Sequence, residues 1–158
     1  IQALLEEGNP IDSHVVEGWW KDTGRPQDIL DANRLVLEDV ADDRAGEIVT
    51  DAEVTGRVDL APSARIEAGA VIRGPVSIEA GTTIGPGTYV GPYTSIGPDC
   101  ELADVHVENT VLVGESEVTS AETIVDSLIG RNTRIGSAAD ERPAGRRLVV
   151  GENSNLKL

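Results

Sequence analysis

The amino-acid sequence predicts a mainly β fold, a parallel β-helix built from hexapeptide repeats. Aliphatic side chains recur at every sixth position through the middle of the chain: Ile48, Val54, Leu60, Ile66, Ile72, Ile78, Ile84, Val90, Ile96 and Leu102. The residue two places before each of the last nine is small or β-branched, from Ala52 to Cys100. Gly-Pro pairs follow three of the repeats, at 85–86, 91–92 and 97–98.

Strands explain this spacing better than a helix does. Positions six apart drift around the axis of an α-helix, whereas on strands both sets fall on even offsets and share one face. Glycine and proline in the next two places break a helix and turn the chain. Each hexad is therefore a short strand with a corner, and three hexads form one coil of about 18 residues.

The composition agrees with a core made of strands. The chain has no Phe and no Met, and only two Trp and two Tyr. Its core must therefore be built from Val, Ile, Leu, Ala and Thr, several of which favour strands over a packed helical bundle.

The pattern loses its register after Leu102. Pieces of it return, with five-residue steps between some of the aliphatic positions: Val113, Val118, Ile124, Ile129 and Ile135. The polar segment 137–147 is predicted to loop out, as a solvated loop or as a contact with another chain or a phosphate. The ending LVVGENSNLKL is predicted to add a last rung.

Outward residues one coil apart stack on the same face of a β-helix. Val71 lies below Tyr89 in this register, and Val107 follows if the slip after Leu102 is small. The other two faces carry polar or charged side chains: Asp59, Ser77 and Ser95 on one, and Arg65, Thr83 and Glu101 on the other. We therefore expect the face of Val71, Tyr89 and Val107 to be buried against a second copy of the chain, in a trimer or a dimer.

The net charge of the chain indicates which partners and which environment it can have. The net charge is -15, from 28 acidic against 13 basic residues. Such a surface repels a phosphate polymer, so we expect no nucleic acid as a partner. An acidic, lysine-poor surface is typical of a halophilic protein, because concentrated salt screens its self-repulsion. No apolar run is long enough for a membrane span. The single cysteine, Cys100, cannot form an internal disulfide. We therefore expect a cytoplasmic protein.

The first 38 residues have a different pattern. A helix ends at Gly8, a short strand is predicted from His14 to Trp20, and a second helix runs from Pro26, a residue that suits the first helical position, to Glu38. Helix, strand and helix indicate the edge of an α/β domain. The sequence thus predicts two domains, 1–38 and 39–158. Because the chain opens on what looks like the last turns of a helix, we also expect further residues upstream.

The segment EGWWKDTGRPQDILDANRLVL, residues 17–37, resembles the closing part of the catalytic domain in glucose-1-phosphate thymidylyltransferases. It is most similar to their long form, in which a hexapeptide β-helix follows the nucleotidyltransferase domain, and the resemblance covers essentially the whole chain. It implies that residues 1–38 are a short α/β remnant of that domain and that the β-helix is left-handed.

The resemblance also implies a chemistry. In the family, a sugar-1-phosphate oxygen attacks the α-phosphorus of dTTP, which makes dTDP-glucose and pyrophosphate with Mg²⁺ as cofactor. Asp22 would be one of two carboxylates that hold the Mg²⁺, and Trp20, Thr23 and Gly24 would shape the site. The phosphate loop G-x-G-T-R-L-x-P-x-T and the second carboxylate have no match in this sequence. We therefore expect the chain by itself to be inactive and to serve as an oligomerisation module.

A second function is compatible with the repeat. Hexapeptide β-helices also occur in acyltransferases, which use a catalytic histidine beside a groove that holds acetyl-CoA. His106 lies where the register breaks, although no long loop or neighbouring histidine accompanies it. A purely structural role for the β-helix is the third possibility.

Overall fold

The computed structural model describes residues 2–8, 10, 12, 14, 15, 17, 20–119 and 122–136, together with the backbone of 147–149. Two helices come first, α1 (Gln2–Glu6) and α2 (Pro26–Glu38). In the described part of the chain, eighteen short strands follow, numbered in chain order. Neither helix in this part has the length and apolar character that a membrane span needs.

The strands form three sheets. Sheet A contains β1 (Asp43–Arg44), β4 (Val58–Leu60), β7 (Val76–Ile78), β10 (Thr94–Ile96), β13 (Val111–Leu112) and β16 (Leu128–Ile129). Sheet B contains β2 (Glu47–Ile48), β5 (Arg65–Ile66), β8 (Thr83–Ile84), β11 (Glu101–Ala103), β14 (Glu117–Thr119), β17 (Arg134–Gly136) and β18 (Arg147–Val149). Sheet C contains β3 (Glu53–Thr55), β6 (Val71–Arg73), β9 (Tyr89–Val90), β12 (His106–Glu108) and β15 (Thr123–Val125).

Each strand up to β14 pairs in parallel with the strand three places later, so three strands complete one coil. The chain therefore winds into a parallel β-helix, which confirms the predicted fold class. Sequence reasoning placed the aliphatic column inside, and the column is buried from Leu60 to Leu102. Ile48, in the first coil, is 36% exposed, because only one neighbouring coil covers it.

The coils become shorter beyond Leu102, and this corrects two predicted positions. Ile72 pairs with Val90, eighteen residues later, but Val90 pairs with Val107, only seventeen residues later. Because side chains alternate along a strand, the missing residue turns Val107 into the core, where it is 1% exposed. His106 takes the predicted outward place of Val107, next to Tyr89. In the same way Leu112 is the core residue of its strand, and Val113 is 43% exposed.

The corners explain the shortening. In a six-residue step the residue with a left-handed backbone comes third after the core aliphatic, as in Gly87 after Ile84 or Tyr93 after Val90. In the five-residue steps it comes second, as in Asp104 after Leu102. Asn109 and Asp126 follow Val107 and Ile124 in the same manner. Asn and Asp tolerate positive φ better than most residues, so these corners form without glycine.

The two ends of the chain differ from the prediction. Of the strand predicted at 14–20, residues 14, 15, 17 and 20 are described, and none of them lies in a strand. A strand needs a hydrogen-bonded neighbour, and no described strand pairs with this segment. At the other end, β18 pairs antiparallel with β17, so it reverses the chain instead of adding a parallel rung. The predicted loop at 137–147 lies outside the described residues, except for the backbone of its last member.

Helix α2 starts and stops where the sequence predicts. Pro26 is its first residue, and Arg25 before it is extended, with φ -129° and ψ 153°. The Asp28 carboxylate accepts a hydrogen bond of 3.1 Å from the Arg25 backbone N–H, which satisfies a free donor at the helix start. Leu30 and Leu37 are buried, at 3% and 1% exposure, on the side of the helix that also carries Asn33.

Candidate functional site

Residues 20–25 form an open segment in front of α2. Trp20 is 77% exposed, and Asp22, Thr23 and Gly24 are exposed as well. A Cβ atom at Gly24 would make an ordinary contact with Asp22 Oδ1, at 3.7 Å, so Gly24 lies directly beside this carboxylate. The predicted site residues thus lie together on an accessible surface next to the start of a helix.

Two of the three carboxylates in this region are held by cations. Asp31 Oδ2 accepts a hydrogen bond of 2.6 Å from Lys21 Nζ, and Asp28 accepts two from the Arg25 guanidinium, at 3.1 and 3.2 Å. The Lys21 hydrogen bond lowers the pKa of Asp31, and the Arg25 hydrogen bond lowers that of Asp28. Among the described residues, none forms an ion pair with Asp22. Asp22 is therefore the carboxylate of this segment that is available to a cation.

The chemistry of Asp22 fits Mg²⁺ as one ligand of several. Mg²⁺ prefers oxygen donors and is usually bound by one or two carboxylates together with phosphates and water. The described residues contain no group of three or more His, Cys, Asp or Glu side chains arranged to hold a metal ion. The segment in front of α2 thus offers Asp22 as an exposed carboxylate ligand and, among the described residues, does not form a closed metal centre.

Helix α2 is attached to the β-helix by the side chain of Asn33. Its Nδ2 donates a hydrogen bond of 2.9 Å to the carbonyl of Tyr93, and its Oδ1 accepts one of 2.6 Å from Ser95 Oγ. Ser95 lies on β10, and Tyr93 lies at the corner just before that strand. The amide group thus uses both ends to bind the outer face of sheet A.

Arg34 adds further contacts between α2 and the β-helix, to residues at the same corner of three successive coils. Its Nε donates a hydrogen bond of 2.7 Å to Asn109 Oδ1, and its guanidinium carbon lies 5.5 Å from the centre of the Tyr93 ring. Its Nη2 is 4.0 Å from Asp126 Oδ1, and Asn109 also donates to Asp126. Tyr93, Asn109 and Asp126 each occupy the left-handed position of this corner, one coil apart. Sequence reasoning placed Asn33 on one side of α2 but did not predict these contacts.

The candidate acyltransferase histidine lies on the outer face of sheet C. The His106 ring packs edge-on against Tyr89, with ring centroids 5.8 Å apart and an interplanar angle of 61°. The face is less apolar than predicted, because Arg73 and Glu53 form an ion pair of 2.8 Å beside Val71. Val71 and Tyr89 pair across neighbouring strands, as the sequence indicates.

Two other features of the described residues are poorly suited to bind phosphates or to act in catalysis. An open cavity of about 550 Å³ on sheet B is lined mainly by acidic side chains, among them Asp99, Glu101, Glu115 and Glu117. Its charge disfavours phosphates and other anions. Cys100 is buried at 2% exposure, and burial raises the pKa of its thiol, so it is unsuited to act as a nucleophile.

Comparisons with known proteins find a matching family and several relatives. Residues 72–157 match the family described as GMPPB C-terminal domain. The chain is 63% identical over 158 residues to the low-salt glycan biosynthesis nucleotidyltransferase Agl11 of Haloferax volcanii. It is 37% and 36% identical, over the same length, to glucose-1-phosphate thymidylyltransferases of Streptomyces antibioticus and Streptomyces griseus. All of this chain is covered in each case, but it spans only 44% of each relative.

Proposed function

Because the chain belongs to the GMPPB C-terminal domain family, we propose that it is the C-terminal part of a sugar nucleotidyltransferase, and specifically of a glucose-1-phosphate thymidylyltransferase. Support for the nucleotidyltransferase comes from the names of its relatives, and support for the thymidylyl group comes from the two Streptomyces enzymes. The Trp-Lys-Asp-Thr-Gly run at 20–24 supports both.

The observation that carries the proposal is the state of Asp22. Lys21 and Arg25 are bound to the neighbouring carboxylates, Asp31 and Asp28, whereas Asp22 is exposed. Ion pairs occupy oxygens of Asp28 and Asp31, whereas a metal ligand needs its oxygens free. Asp22 is instead available as a ligand for Mg²⁺, with its second carboxylate and the phosphate loop supplied from outside this chain.

In the proposed reaction, an oxygen of the sugar-1-phosphate forms a new bond to the α-phosphorus of dTTP. The bond from that phosphorus to the departing pyrophosphate breaks, and pyrophosphate leaves with the electron pair. Bound Mg²⁺ would neutralise the negative charge that gathers on the phosphates. Asp22 would supply a carboxylate oxygen to the metal site, and Trp20, Thr23 and Gly24 would shape the adjoining surface.

The β-helix would serve as the structural and self-association module of this enzyme. The face that carries Val71, Tyr89 and His106 is the proposed contact with a second copy of the chain, in a dimer or a trimer. Tyrosine is enriched in protein interfaces because it combines a large apolar ring with a polar end.

The test is pyrophosphate release by the full-length protein. Glucose-1-phosphate and Mg²⁺ are supplied with dTTP, UTP or GTP, and we expect the fastest release with dTTP. Fast release with UTP or GTP alone would contradict the thymidylyl assignment and leave the nucleotidyltransferase intact. The same three nucleotides are then tested with mannose-1-phosphate. If no combination of sugar phosphate and nucleotide released pyrophosphate, the proposed function as a whole would be contradicted.

A further inference from the structure

Two sets of polar contacts, joined by the backbone of α2, link the outer face of sheet A to the residue next to Asp22. Ser95 and Tyr93 bind Asn33 on α2, Asp31 lies two residues earlier on the same helix, and its carboxylate binds Lys21. Asp22 is the next residue of the chain. We propose that the β-helix positions the Asp22 carboxylate through these contacts, with Asn33 and Lys21 as positioning residues. This inference rests on the proposed function, because it assumes that Asp22 binds a metal ion.

The contacts at the β-helix end are well suited to fix α2. Asn33 donates to one backbone group and accepts from one side chain, so its amide plane has a single orientation. Arg34 adds a planar group that contacts the same corner in successive coils. Leu30 and Leu37 are buried one turn before and one turn after Asn33 on the same side of the helix, so a roll of the helix about its axis would expose both.

The contact at the other end orients the metal-ligand segment. Lys21 and Asp31 are partly exposed, with side-chain exposures of 27% and 41%, so their ion pair adds little to the stability of the fold. It does, however, join the open segment to the helix at the residue next to Asp22. Groups that orient metal ligands commonly change metal affinity by about 10- to 100-fold when they are removed.

The Lys21→Met variant distinguishes a positioning role from a purely electrostatic one, because the two roles predict opposite changes in metal affinity. Removal of a cation next to a metal ligand reduces repulsion, so a purely electrostatic role predicts tighter metal binding in Lys21→Met. A positioning role predicts weaker binding. Asn33→Ala carries no change of charge and keeps α2 intact, because alanine is the best helix former.

The experiment measures Mn²⁺ affinity by electron paramagnetic resonance in the full-length protein, and hydrogen exchange of the segment 20–25 in the metal-free protein. We expect about tenfold weaker Mn²⁺ binding in Lys21→Met and in Asn33→Ala. We also expect faster exchange at 20–25 in both variants, and retention of the wild-type values in Lys21→Arg. Arg65→Met is the control, since Arg65 pairs with Glu47 on sheet B, away from α2.

The outcomes separate the inference from the proposed function. Wild-type Mn²⁺ affinity and exchange in both variants, or tighter binding in Lys21→Met, would overturn the positioning role while Asp22 remained a ligand. If Asp22→Asn bound Mn²⁺ as tightly as the wild type, Asp22 would not be a metal ligand and the inference would fall, whereas failure of the proposed function would appear separately as the absence of pyrophosphate release.

Discussion

His106 packs edge-on against Tyr89 across two neighbouring coils, with the ring centroids 5.8 Å apart, on the outer face of sheet C. A one-residue shortening of the coil brings the histidine to this place and turns Val107 into the core. The aromatic pair and Val71 below it form the part of the surface that we assign to self-association.

A glutamate at the centre of this face should disrupt the oligomer. In Tyr89→Glu a negative charge replaces the ring beside Glu108, whose side chain lies over Gly91 next to Tyr89. We expect light scattering to show a shift of the full-length protein toward the monomer. Thr83→Glu, on the outer face of sheet B, is the matched control and should leave the mass unchanged. An intact oligomer in Tyr89→Glu would place the subunit contact elsewhere.

Truncation of the core should depend on the position of the coil. Ile84 lies in a middle coil at 0% exposure, so Ile84→Ala should lower the free energy of unfolding by about 2 to 5 kcal/mol. Ile48 carries the same side chain in the first coil but is 36% exposed, so Ile48→Ala should cost less than about 1 kcal/mol. Urea unfolding gives both values. Equal losses at the two positions would show that the first coil is covered by residues outside the described part.

The Lys21–Asp31 ion pair should make stability depend on pH in the acidic range. The pKa of Asp31 is lowered in the folded protein, chiefly by the hydrogen bond from Lys21. Its contribution is therefore present above the ordinary aspartate pKa of about 3.9 and is lost as the pH falls through the lowered value. Because the pair is partly exposed, the melting temperature of Asp31→Asn should lie only slightly below that of the wild type at pH 6, and this small difference should vanish below pH 3. A difference that stayed constant over this range would mean that the ion pair does not form.

Added salt should stabilise the protein. The net charge of -15 leaves a large excess of carboxylates over the basic side chains that pair with them. The Debye length falls from about 10 Å at 0.1 M salt to about 3 Å at 1 M, which screens this repulsion. We expect the melting temperature to rise between 0.1 and 2 M KCl by more than it does in sucrose of equal osmolality. A flat or falling curve would argue against adaptation to salt.

The sequence predicts the regular part of this fold well because one physical rule repeats. From Ile48 to Leu102 each aliphatic residue occupies the same place in a six-residue step, so the pattern alone gives the strands and the core. Beyond Leu102 the shorter corners at Asp104 and Asn109 change which residues of a strand face the core. One step predicted a residue too long therefore placed Val107 outside and Val113 inside, the reverse of what the structure shows. An Asx residue two places after a core aliphatic is the signal that would have located these corners.

The candidate site also has a part that the sequence predicts and a part that it does not. The start of the helix at Pro26 could be predicted from neighbouring residues, because its signals are local. The bonds from Asn33 to Ser95 and from Arg34 to Asn109 join residues more than sixty positions apart. Their formation depends on how α2 lies on the β-helix, which no periodicity of the sequence encodes.

The most direct measurement of the central claim is pyrophosphate release by the full-length protein carrying Asp22→Asn. Loss of a metal ligand should remove several kcal/mol of transition-state stabilisation, so we expect a fall of about a hundredfold or more in rate. Asp104→Asn is the matched control, because Asp104 is an exposed carboxylate on a corner of the β-helix and asparagine tolerates its positive φ. A wild-type rate in Asp22→Asn would contradict the assignment of this carboxylate to the catalytic metal.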